Sequence, residues 1–230
     1  MIKILHLYYD IMNMYGESAN VRALMHALDK EDVKYKVDFK SLHDDIKIMD
    51  YDFIYIGTGL DESYPIVLED LKRYKEDLSK YIDANKFILV TGNALDLFSD
   101  LKILKFKSVK EDFRIIGEQV YTTDLIKNYV IGFQNRDTVI KEYSEASLFK
   151  VTTGTGFAPN NKNEGIRKNN FYGTYLLGPL LIRNPYLLEY FTKNLLKSKN
   201  IKYKAMSHDT AYQAYDTYLK NFVNKELKNL

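Results

Sequence analysis

Among its 230 residues the chain has no cysteine. That excludes disulfides, thiolate metal sites and any cysteine nucleophile. Tryptophan is also absent, and the aromatic residues are all tyrosine and phenylalanine. No apolar run approaches the length of a membrane span. The N-terminus, Met1-Ile2-Lys3-Ile4-Leu5-His6, lacks a charged lead and a long apolar core, so it does not read as a signal peptide, and a cytoplasmic location is the expectation. Charge of one sign is lacking too: the formal net charge is +2, too small to point to nucleic acid or an anionic membrane as the main partner. There is no internal repeat and no low-complexity linker. The four histidines, His6, His26, His43 and His208, are scattered without metal-ligand spacing, so no metal site is expected.

What is present suits a folded globular protein. Apolar residues make up 46% and charged residues 28%, outside the range of disordered chains. Ile2 to Leu7 reads as a buried strand, followed by a loop from Tyr9 to Gly16. Val21, Leu24, Met25 and Leu28 recur at a helical period between Ser18 and Lys30. Tyr35 to Phe39 alternates like a strand, and Phe53 to Ile56 is a compact apolar strand stopping at Gly57-Thr58-Gly59. Pro65 opens a helix predicted to run to about Ile82, with Val67, Leu68, Leu71, Tyr74 and Leu78 on one face. Phe87 to Val90 is a further strand, ending at Thr91-Gly92. Strands alternating with helices in this way predict an α/β fold, a mostly parallel sheet flanked by helices.

The middle of the chain differs. From about 103 to 176 the sequence shows short β-rich runs and no long helix, clearest at Ile103-Phe106, Val120-Thr123, Val130-Phe133 and Leu148-Thr152. A polar stretch from Gly154 to Asn170 suggests loops and a hairpin, and Phe171 to Leu176 one more strand. Helices are expected from Pro185 to about Leu196 and from Thr210 to Lys228, so that C-terminal helices occupy about 185–229. In that last helix Tyr212, Tyr215, Tyr218 and Phe222 could cover either the core or an interface, whereas Lys220, Lys225 and Lys228 fit a solvated face. The whole reads as a single domain, 1–230, carrying a β-rich addition on its sheet.

In open α/β sheets the ligand site lies beyond the carboxyl ends of the strands. Three motifs converge there: Tyr15-Gly16-Glu17, Gly57-Thr58-Gly59-Leu60-Asp61 and Thr91-Gly92-Asn93. The last has the layout of a nucleophile elbow, a sharp strand-to-helix turn that presents one side chain. Backbone N–H groups around Gly92 and Asn93, with those of the Gly57–Gly59 turn, are candidates for an oxyanion hole. Asp61 is a candidate for holding a polar ligand, although acidic residues before a helix starting at Pro65 explain it equally. Asp96 suits the first turn of a short helix.

These motifs, together with Asn13 to Asn20, Ile131-Gly132-Phe133-Gln134-Asn135, Gly154-Thr155-Gly156, Asn163-Glu164-Gly165 and Gly173 to Pro179, fall in the order found in a known family. The chain resembles the class I glutamine amidotransferase domains of the cobyric acid synthase type, most nearly the glutaminase subunit (GatD type) of lipid II isoglutaminyl synthase. The resemblance covers about residues 1 to 200. It implies a glutaminase that passes ammonia to a Mur-ligase-like partner, which amidates the stem peptide of a peptidoglycan precursor, with no cofactor. It also implies a cysteine at the elbow and a histidine in the late Gly-Thr-Tyr-Leu-His-Gly-Pro-like motif. Here those places read as Thr91 and Leu177. A hydroxyl is a far weaker acid than an assisted thiol, and Leu177 supplies no base. Arg136 reads first as a surface arginine, and as the alternative resembles a family arginine that helps hold glutamine. Three functions follow as expectations: a catalytically silent subunit that binds a Mur-ligase-like partner; a module using the former glutamine pocket for a small amide or amino acid; and an amidase with chemistry relocated to Asp61, Asp96 or Thr91.

Overall fold

The computed structural model describes residues 1–205 and 210–223, side chains to Asn221. His208, Lys225, Lys228 and the side chain of Phe222 lie outside the described residues. In chain order the elements are β1 (Ile2–Leu7), α1 (Ser18–Lys30), β2 (Tyr35–Lys40), β3 (Phe53–Ile56), α2 (Tyr64–Leu71), α3 (Lys75–Asp83), β4 (Phe87–Thr91) and α4 (Ala94–Asp100). Then come β5 (Phe106–Thr122), β6 (Val130–Tyr143), β7 (Ala146–Thr153), β8 (Asn163–Lys168), β9 (Phe171–Thr174), α5 (Leu180–Arg183), α6 (Pro185–Ser198) and α7 (Thr210–Tyr218), the last followed by a π-helical turn, Leu219–Val223.

One nine-stranded sheet of order β2-β1-β3-β4-β9-β8-β7-β5-β6 runs through the described residues. The first five are parallel neighbours. The other pairings are antiparallel, so the β-rich segment prolongs the same sheet and matches the parallel part in size. The central parallel strands β3 and β4 read as near-continuous apolar runs because helices cover both faces, whereas the margin strand β2 alternates. Ile54, Ile56, Ile88 and Val90 pack toward α2, α3 and α4. Phe53, Tyr55, Phe87 and Leu89 pack toward α1, α5 and α6.

Three expectations are corrected. The helix predicted from Pro65 to Ile82 is two helices, with a 3₁₀ turn at Lys72–Tyr74 between them. Val67, Leu71, Tyr74 and Leu78 are nevertheless all buried, because the tighter turn keeps the apolar stripe facing the sheet. Of the short runs, Val120-Thr123 and Val130-Phe133 mark parts of long strands, β5 with 17 residues and β6 with 14, and Leu148-Thr152 lies in β7, whereas Ile103-Phe106 is a turn that reaches a strand only at Phe106. β5 and β6 pair along their length, while a bulge between Lys110 and Ile115 and many solvated side chains erase the alternation. The strand predicted to Leu176 ends at Thr174, and Tyr175 to Gly178 form a loop over the strand ends.

The last helix covers the core at its far end. Tyr215 packs on Val120 and Ile131, and its hydroxyl donates to the Tyr129 carbonyl at 2.7 Å. No helix among the described residues is long and apolar enough to cross a membrane.

Candidate functional site

The loops after β1, β3, β4 and β9 surround a cleft of about 240 Å³, with Arg114, Asn135, Asp137 and Thr138 of β5 and β6 forming its outer wall. Asn13 fixes the loop after β1 by accepting the N–H of Ser18 at the start of α1, at 2.7 Å. Tyr15 has φ of +63° and accepts a hydrogen bond from Asn135 at 2.9 Å, which ties this loop to β6 across the cleft.

The strand-to-helix turn after β4 is an elbow, but the sequence reading misplaces its tip. Thr91 is the last residue of β4, and strand alternation puts it on the face of Phe87 and Leu89. Its side chain has no exposed surface and cannot meet a substrate. Its hydroxyl donates to the carboxylate of Glu17, which also accepts the Tyr55 hydroxyl at 2.5 Å. Asn20 completes this buried cluster by donating to the Tyr55 oxygen at 2.8 Å. Burial raises the Glu17 carboxyl above its ordinary value, against the hydroxyls of Thr91 and Tyr55 and the Gly178 N–H. The residue that turns toward the cleft is Gly92, with φ of +60°. A Cβ there would lie 2.9 Å from Leu177 Cδ2 and 2.4 Å from both Cβ and Oγ1 of Thr58.

Leu177 lines the cleft beside Gly92. Its backbone is pinned to β6: the Leu177 N–H donates to the Phe133 carbonyl at 2.8 Å, and the Phe133 N–H returns a bond at 3.3 Å.

Of the candidate oxyanion donors, Gly59, Gly92 and Asn93 line the cleft, and their N–H groups have internal acceptors. The Gly92 N–H donates to the Thr174 carbonyl at 2.9 Å and the Gly59 N–H to Asn93 Oδ1 at 3.0 Å. The Asn93 N–H donates to Thr58 Oγ1 at 3.3 Å. Gly57 packs under the loop after β1, where a Cβ would meet the Met12 carbonyl oxygen at 2.5 Å.

Asp61 is exposed at the cleft mouth and pairs with Lys110 at 3.0 Å. Arg136 is buried rather than a surface residue. It lies 4.3 Å from the centre of the Tyr175 ring and donates to the carbonyls of Thr138, Gly156 and Phe157 and to Gln134 Oε1. Most of its guanidinium is therefore engaged in holding the chain together rather than turned to a ligand.

Two further carboxyls support the site. Asp96, in the first turn of α4, accepts the Tyr175 hydroxyl at 2.6 Å. Burial pushes it up to about 7, against bonds from Tyr175 and Ser108 and the charge of Arg136. Glu164 accepts the Tyr175 N–H and the Thr174 hydroxyl, each at 2.8 Å, and so shapes the loop that carries Leu177. Burial pushes Glu164 up to about 7 as well, against those bonds and Arg136. The sequence reading missed the roles of Thr58 and Tyr175. The signal for Thr58 was its place between two glycines, in a turn facing the elbow.

The fold is similar to that of glutamine amidotransferases of known structure. A glutamine amidotransferase from Thermotoga maritima superposes with a TM-score of 0.53 at 12% identity, over 99% of this chain and 94% of that one. No family model matches the chain. In sequence it is similar to the GatD subunit of the glutamine-hydrolysing lipid II isoglutaminyl synthase of Streptococcus pneumoniae, at 26% identity over all of this chain and 91% of that protein. It is likewise 26% identical to the subunit of the same name from Staphylococcus aureus, over 90% of each chain.

Proposed function

We propose that this chain is a glutamine amidotransferase-like subunit without glutaminase activity, which pairs with a Mur-ligase-like partner in amidation of a peptidoglycan precursor. The observation that carries the reading is the elbow tip. In the site described above, Gly92 presents no nucleophile to the cleft, and the neighbouring Leu177 offers no base. We therefore assign the vacated nucleophile position to Gly92 rather than Thr91, and the vacated base position to Leu177. Nucleophile and base act as a unit, and loss of either removes most of the rate. The names of the relatives supply the pathway and the idea of a subunit. The order of the motif blocks supports the cobyric acid synthase type, the continuous sheet a single domain over 1–230, and the modest net charge a cytoplasmic location.

The test is to purify the chain together with the Mur-ligase-like protein of the same organism. The expected outcome is a stable complex that releases no ammonia from glutamine above blank. Ammonia release that persists in preparations free of other amidotransferases would overturn the silent-subunit reading; absence of any complex would overturn the partner. A second reading, a small polar ligand in the cleft, is favoured by one observation: polar side chains, Asp61, Asn135 and Asp137, line its outer part. A thermal-shift screen of amino acids and amides addresses it, and no shift at millimolar ligand would end it.

A further inference from the structure

The vacated elbow is not simply missing a nucleophile. Thr58 is 6% exposed, and its side chain stands over the tip of the turn. Its Oγ1 accepts the Asn93 N–H at 3.3 Å and donates to Asn93 Oδ1 at 2.9 Å. The same Asn93 oxygen takes the Gly59 N–H at 3.0 Å, while Asn93 Nδ2 donates to the Gly59 carbonyl at 3.0 Å. Two backbone donors that would face a substrate carbonyl are thus satisfied by two side chains of the chain itself. The steric observation is independent of the hydrogen bonds: any side chain placed at Gly92 would run into Thr58 before reaching the cleft.

We infer that Thr58, clamped by Asn93, is a built-in plug whose hydroxyl oxygen occupies the seat of the substrate carbonyl oxygen and closes the elbow to amides and esters. Acyl compounds entering the cleft find the donors already taken, and the ligand space that remains is the outer part alone. Thr58 is by this argument a specificity-determining residue. The inference rests on the reading of the cleft as a former glutaminase site, and the experiment separates the two.

The chain has no native cysteine, so a thiol introduced at the tip is a unique reporter. Gly92→Cys and Thr58→Gly/Gly92→Cys are compared by intact mass after treatment with iodoacetamide, and in parallel with a chloroketone analogue of glutamine. The expected result is at least about tenfold slower labelling of the single variant by iodoacetamide, tenfold being the equivalent of about 1.4 kcal/mol of blocking interaction. Equal labelling of the two variants overturns the plug. Labelling of the double variant by the chloroketone that glutamine suppresses supports the former glutamine site; iodoacetamide labelling without such suppression overturns that reading and leaves the plug standing. Because a side chain at Gly92 strains the turn, Thr58→Val supplies a second measurement. It keeps the shape and removes the hydroxyl, so amide exchange of Asn93 is expected to quicken about fivefold to tenfold, the loss of one hydrogen bond of about 1 kcal/mol. Unchanged exchange at Asn93 overturns the plug without any folding requirement on the cysteine variants.

Discussion

Asp96 and Glu164 are carboxyls that the fold keeps out of water, and each is pushed up to about 7 by burial. In the unfolded chain they titrate near 4. The native state therefore holds protons that the unfolded state gives up between about pH 4 and 7. Their contribution to stability is in place below pH 4 and lost as pH rises through 7. His6 acts in the opposite direction, since burial lowers it to about 4. Its contribution is in place above its unfolded value near 6.5 and lost as pH falls toward 4. Asp96→Asn keeps an acceptor for Tyr175 and removes one titration. Denaturant midpoints measured from pH 5 to 8 should fall less steeply with rising pH in this variant than in the parent; parallel curves would contradict the burial argument. At this scale the sequence was partly legible. Alternation groups Thr91 with Phe87 and Leu89, but every residue of β4 is buried, and only the positive φ of Gly92 shows which residue turns outward. The burial of Arg136 was not legible, because two of its three carbonyl partners, Gly156 and Phe157, come from loop residues about twenty positions away.

Among the elements, the junction of α5 and α6 shows how the second half is fastened to the first. Asn184 sits between these helices, fully surrounded. Its Oδ1 accepts the Ile131 N–H at 2.8 Å, and its Nδ2 donates to the carbonyls of Ile131 and Leu180 at 2.7 and 2.8 Å. Asn184→Ala removes the partner of the Ile131 N–H and of the Ile131 and Leu180 carbonyls, at a cost of about 1–3 kcal/mol for each group that water does not reach. A loss on the order of 2–4 kcal/mol in total is expected, or roughly 5–15 °C in Tm for a chain of this length, read by thermal melting. A shift under about 2 °C would mean that water replaces the side chain. Gly173 in β9 makes a comparable point about packing. A Cβ there would lie 2.5 Å from Leu95 Cδ1 and 2.8 Å from Phe171 Cε1, so Gly173→Ala should destabilise by about 1–3 kcal/mol in urea unfolding. The first four strands and α1 were legible because apolar runs and helical periods are local signals. The lengths of β5 and β6 were not, since what extends them is pairing with one another rather than a buried face.

At the scale of the molecule, both apolar cores lie against one sheet, and the β-rich segment continues that sheet from β9 through β8. The single-domain proposal therefore predicts one cooperative unfolding transition by calorimetry, with calorimetric and van't Hoff enthalpies in agreement. Two separated transitions would mark the segment from about 103 to 176 as a unit of its own.

The ends of the sheet carry a consequence for assembly. β2, at one margin, is short and bears Lys36, Asp38 and Lys40. β6, at the other, is long, but its outward groups are already matched at Ile131 by Asn184, at Phe133 by Leu177 and at Ile140 by the Phe157 carbonyl. A strand from another molecule needs a row of free N–H and C=O groups to zip onto, and neither margin provides a long, unguarded one. Whatever this protein joins, it must grip through loops and side chains, and the same guarding should keep concentrated solutions from growing into fibrils.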